Sequence, residues 1–138
     1  MKSIMEITQS IFTGIGAFIG WFLGGVDGFI YALITFVIID YAIGLMLAVL
    51  ERKVSSEVGF KGIFKKVLIF VLVAVAHIVD SYLIKNGSAI RTAVLFFYLS
   101  NEGISILENV GRIGLPIPES LKNILEQLKK EDKNDNHS

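Results

Sequence analysis

The sequence predicts an all-α fold: an integral membrane bundle of three to four transmembrane helices, followed by a short C-terminal amphipathic helix. Three observations point there. Of 138 residues, 53% are hydrophobic and only 19% charged, where a water-soluble domain carries about 25% charge. The mean hydropathy is +0.64. The apolar residues are also gathered into runs close to the ~20 residues that one bilayer crossing requires.

The first run, residues 7–26, carries no charge before its end and holds Gly14, Gly16, Gly20, Gly24 and Gly25. Gly16, Gly20 and Gly24 recur every fourth position. On a continuous helix they share a face where a second helix can approach closely, so they are the candidate helix-packing residues. Asp27-Gly28 reads as a tight turn. The second run, 28–50, is interrupted only by Asp40 and is the clearest span. Residues 51–66 read as a polar linker with Arg52, Lys53, Lys61, Lys65 and Lys66 against Glu51 and Glu57. The third run, 67–84, has His77 and Asp80 near its far end, and Lys85-Asn86-Gly87-Ser88 has turn composition. The fourth, 90–110, is the least apolar, because Arg91, Asn101, Glu102 and Glu108 lie within it. If either the first or the fourth run lies in the interface instead, three spans remain.

These runs make residues 1–110 one transmembrane domain. Gly111 to Pro118 should break the helix. Leu121, Ile124, Leu125 and Leu128 then share one face of an amphipathic helix ending at Lys130, with Glu119 at its start and Lys129 and Lys130 at its end, as the helix dipole favours. Residues 111–130 therefore read as a Pro-containing turn and cytoplasmic amphipathic helix, and 131–138 as a disordered charged tail. Lys2 precedes an apolar stretch with no Ala-x-Ala cleavage site, so the N-terminal segment is expected to be retained.

Cytoplasmic loops collect Lys and Arg. With four spans and both termini inside, all of the 13 basic residues except Lys85 and Arg91 are cytoplasmic. This favours a multi-pass membrane protein with N- and C-termini in the cytoplasm.

Several function classes fall away. Zero formal net charge argues against a nucleic-acid partner held by bulk charge. Without cysteine there is neither a disulfide nor a thiolate zinc site. His77 and Asp80 stand at i, i+3, a spacing able to share a metal, but two ligands do not make a site. No nucleophile–base pair or phosphate-binding loop is present. Neither enzyme chemistry, a metal nor a cofactor is expected.

What remains informative is polarity at membrane depth, where an Asp at a helix centre costs about 2.5–3.5 kcal/mol. Asp40, His77, Asp80, Asn101, Glu102, Ser105 and Glu108 are the candidate pore-lining or intramembrane polar residues. In the fourth run Tyr98, Asn101, Glu102, Ser105, Glu108, Asn109 and Arg112 fall within about 120° of arc. Such a stripe suits a channel wall, a helix lying on the membrane, or polar pairing between neighbours inside the bundle.

A succession of short motifs adds a resemblance. Asp40-Tyr41-Ala42-Ile43-Gly44 is followed by Ser55-Ser56, Gly59-Phe60-Lys61-Gly62 and Lys65-Lys66. His77 with Asp80, Asn101-Glu102-Gly103-Ile104-Ser105-Ile106-Leu107-Glu108-Asn109 and Gly114-Leu115-Pro116-Ile117-Pro118 complete it. Over residues 28–130 the chain resembles the phage lysis and toxin-secretion holin family. The first run matches only in character. The resemblance implies a homo-oligomer in the lipid bilayer of the bacterial cytoplasmic (inner) membrane that opens a lesion, working with an endolysin or an exported protein toxin, and it brings no catalytic residues. An antiholin or membrane scaffold regulating a holin, or a small ion-channel subunit, are the other readings.

Overall fold

The structure, a computed structural model, describes residues 3–124, 126 and 127. The end of the expected amphipathic helix, with Leu125 and Leu128, and the tail 131–138 lie outside them. The described residues are helical, with no strand among them. The helices are α1 (Ile4–Phe22), α2 (Gly28–Leu50), α3 (Ser56–Ile78), continued by a π-helical turn (Val79–Ile84), and α4 (Ala89–Ile113).

Each helix start has a local cause. Ser3, Asp27 and Ser55 adopt extended backbone and accept from the backbone N–H three residues on, at Glu6, Ile30 and Val58. Such caps are worth about 1 kcal/mol each. The Ser55 cap explains why α3 begins at Ser56, inside the stretch whose charges read as a linker; only residues 51–55 connect α2 to α3. The first run also stops early. Leu23 ends α1, and Gly24 and Gly25 then take left-handed φ values of 89° and 102°, turning the chain sharply into Asp27.

α4 packs chiefly along α2 and secondarily along α3, while α2 and α3 touch less and α1 stands almost clear. Ile30, Leu33 and Val37 of α2 meet Ile69, Val73 and Ala74 of α3 and Leu95 of α4 in the core, with Leu23 closing one end. Phe29 and Phe96 meet edge to face, centroids 5.1 Å apart. Nearer the 51–55 connection, the Tyr41 ring of α2 lies against α3. Its hydroxyl donates to the Gly59 carbonyl oxygen at 3.2 Å, and a side chain at Gly62 would begin 3.3 Å from the ring.

Among the described residues two helices have the length and apolarity of a span: α2, and the continuous rod Ser56–Ile84 of 29 residues, each with a mean hydropathy of 2.4 in its most apolar stretch. Only 22% and 28% of those stretches is buried inside the protein. A core helix of a water-soluble domain would be mostly covered; these present their apolar surface outward. The count corrects the expectation of three to four spans. α1 is diluted by Glu6, Thr8, Gln9 and Ser10 and stops at Phe22, and α4 carries Arg91, Asn101, Glu102 and Glu108. α4 nonetheless runs beside α2, because Arg91, Glu102 and Arg112 are turned to partners on neighbouring elements.

Candidate functional site

Lys66 is the centre of the arrangement. Its ammonium lies between two carboxylates, donating to Asp40 Oδ2 of α2 and, at 2.6 Å, to Glu102 Oε2 of α4. The Lys66 side chain is 20% exposed, and those of Asp40 and Glu102 are 7% and 8%. Asn109, two turns along α4, approaches the other Asp40 oxygen at 3.5 Å. One side chain from each of three helices thus meets in a single cluster. Asp40 is close to the middle of α2, about 18 Å from its first residue at 1.5 Å per residue. Two carboxylates against one ammonium leave a formal charge of −1 if all three are ionised. Charge at this depth is expensive unless paired, and in a span it marks a functional site by default.

A second polar cluster ties the elbow between α1 and α2 to the start of α4. Arg91, 5% exposed, donates from Nε to the Leu23 carbonyl oxygen at 2.7 Å, from one terminal nitrogen to Asp27 Oδ2 at 2.8 Å, and from the other to the Gly25 carbonyl oxygen at 2.9 Å. That hydrogen bond from Arg91 is the main reason the Asp27 carboxyl lies below its usual range. Asp80, 1% exposed, accepts from the backbone N–H groups of Ile90 and Arg91 at 3.1 and 2.8 Å, satisfying two orphan donors at the α4 N-terminus.

The candidate residues are therefore distributed. Asp40 and Glu102 are brought together; Asp80 caps α4. His77 is half-buried below the elbow with Nδ1 3.4 Å from Ser81 Oγ, so it does not share a site with Asp80, whose oxygens are taken up by α4. Asn101 and Ser105 are half-buried and Glu108 is exposed. Of the three glycines, Gly16 has open space where a side chain would stand, and Gly20 lies 3.3 Å from Val26 by the same measure. Gly24 is past the end of α1. A Cβ there would fall 2.6 Å from His77 Nδ1 and 2.8 Å from Arg91 Nε. The substitution Gly24→Ala is expected to destabilise the protein by about 1–3 kcal/mol, through backbone strain at positive φ and this clash, as a lowered melting temperature in detergent would report.

Sequence reasoning missed Lys66 and Arg91 as structural centres. A signal existed. Lys66 is in register with Ile69, Val73 and Ala76, Asp40 with Ile30, Leu33, Val37 and Leu47, and Arg91 with Leu95 and Glu102. These are spacings of three, four and seven along each helix's buried face.

Helices throughout the described residues, two of them apolar and facing outward, with the buried charges paired between helices, give the chain the build of a small helical membrane protein. The sequence comparison names it more closely: the model of the bacteriophage holin family matches residues 17–130, and the chain belongs to that family. Relatives include an uncharacterized protein of Listeria innocua, 46% identical over 88% of this chain and 86% of its own length. An uncharacterized 14.9 kDa protein from the nagH 3′ region of Clostridium perfringens is 37% identical over 93% of this chain and 97% of its own length. A third, from Bacillus subtilis, is 33% identical, covering 80% and 78%. No solved structure matches the chain.

Proposed function

We propose that this protein is a holin: copies accumulate in the bacterial cytoplasmic membrane, then associate into a lesion that releases an endolysin or a large protein toxin. Family membership supports the class. The observation that carries the mechanism is the Asp40–Lys66–Glu102 cluster, whose charges are satisfied within one chain yet lie midway along a helix able to cross a bilayer. Groups that stabilise a single copy when paired inside it are equally suited to face water in a ring, where hydration replaces the internal partners. Polar residues of α4 beside them, Asn101, Ser105 and Glu108, extend that surface.

The end carrying residues 51–55 faces the cytoplasm in this reading, since Arg52, Lys53, Lys61 and Lys65 gather there. Arg112 at the close of α4 bonds Glu51 at 2.6 Å, which brings the C-terminal end of the bundle to the same side.

Expression in a bacterium with and without a cytoplasmic endolysin tests the proposal, following culture density and membrane potential. A silent interval, abrupt loss of potential, and lysis only when the endolysin is present are expected. Continued growth with intact potential would favour an antiholin, a scaffold or an ordinary channel subunit. Asn101→Leu with Glu102→Leu is expected to leave membrane insertion intact and abolish permeabilisation; unchanged timing of lysis would exclude the cluster as pore surface.

A further inference from the structure

One end of the bundle concentrates cations that have little to pair with. Arg52, Lys53, Lys61 and Lys65 are all exposed. Of these four, among the described residues only Lys53 has a carboxylate within 4.0 Å, that of Glu51, which Arg112 holds more closely at 2.6 Å. Lys66, the next residue along, is turned inward to Asp40 and Glu102, so the outward setting of Lys61 and Lys65 is a property of one helix face.

That face is not merely charged. Phe60 and Phe64 stand beside Lys61 and Lys65 and are 62% and 67% exposed. Val54 and Val58 on the same end are similarly bare. The opposite end differs: Arg91 is buried in its carbonyl and carboxylate bonds, and Lys85 is the exposed cation there among the described residues.

Cations interleaved with bare aromatic rings are complementary to a layer that is anionic on top and apolar beneath. A soluble polyanion would neutralise the charges but leave the rings in water. An anionic phospholipid surface answers both, with headgroup phosphates against the ammonium and guanidinium groups and the acyl border around the rings. We propose that this end of the protein binds anionic phospholipids. Arg52, Lys53 and Lys61 hold the phosphates, Lys65, deeper along α3, extends its long side chain up toward them, and Phe60 and Phe64 enter the acyl border. The proposal requires that the chain crosses a bilayer and is independent of whether copies form a lesion.

The test uses the full chain in mixed micelles with equal phosphatidylcholine and phosphatidylglycerol, reading retained lipid by native mass spectrometry. The wild type is expected to retain phosphatidylglycerol about tenfold over phosphatidylcholine. The variant Arg52→Gln/Lys53→Gln/Lys61→Gln/Lys65→Gln, whose changes are all exposed, should approach parity with unaltered helix content, and Lys85→Gln should behave as wild type. Phe60→Ser/Phe64→Ser should weaken retention. Equal retention of the two lipids by the wild type, or an undiminished preference in the fourfold variant, overturns the proposal. Displacement of phosphatidylglycerol by millimolar glycerol phosphate would assign the site to a free anion and overturn it as a lipid surface. Flotation of every variant with phosphatidylcholine vesicles reports bilayer insertion separately, so failure of that reading is distinguishable.

Discussion

Replacing Lys66 with methionine is expected to destabilise the bundle by about 3–5 kcal/mol, because it leaves Asp40 and Glu102 facing each other with no cation between them. Methionine keeps the length and flexibility of the stem, so the loss reports charge and not packing. Thermal unfolding in detergent, followed by circular dichroism, measures it. The informative companion is the triple variant Lys66→Met/Asp40→Leu/Glu102→Leu. Removing the whole cluster leaves no uncompensated charge, and stability should return to the wild-type value or exceed it. The two variants separate what the charges do for the fold from what they do for function: the triple variant should insert and fold, yet fail to permeabilise. A triple variant as unstable as the single one would mean that the helices need the ion pairs themselves.

Arg91→Lys is the second large effect, expected to cost about 2 kcal/mol, with Arg91→Ala costing somewhat more. Arg91 reaches Leu23, Gly25 and Asp27 through three different nitrogens. An ammonium is a compact charge and does not reproduce the planar fork that serves three separated acceptors. The lost bonds free the carbonyl oxygens of buried Leu23 and exposed Gly25 at the elbow, so limited proteolysis should begin to cut among residues 23–27 while α2 to α4 remain intact. Protection of the elbow unchanged in Arg91→Ala would show that the glycine turn holds itself. The elbow and the Lys66 cluster are about 20 Å apart along α2, so their variants should combine additively to within about 0.5 kcal/mol.

Apolar runs and breakers made much of this architecture legible. The α2 span, the turn at residues 85–88 and the break after Ile113, where Gly114 takes φ of 113°, follow directly from them. Three features did not follow, for physical reasons. Charge density hid the start of α3, because Lys61, Lys65 and Lys66 read as linker although all three are good helix formers behind a serine cap. Regular spacing made Gly24 look like part of a helical face, although it belongs to the elbow; a repeat of four does not reveal where a helix stops. The cluster itself is non-local. Asp40 and Glu102 are visible as costly residues, but their shared partner is fixed by how α4 lies against α2 and α3, and only the registry of Lys66 with Ile69 and Val73 hinted at it.

The isolation of α1 has a consequence for how the chain comes apart. Gly20 is its sole buried residue, and its connection to the rest passes through the five residues from Leu23 to Asp27. A helix with so few tertiary contacts cannot share the cooperative transition of the other three. Amide hydrogens of residues 8–20 should therefore exchange on their own clock, unaffected by Lys66→Met, while those of α2 and α4 slow or quicken together. In effect the protein is one melting body with a second, freely breathing one attached to it by an arginine.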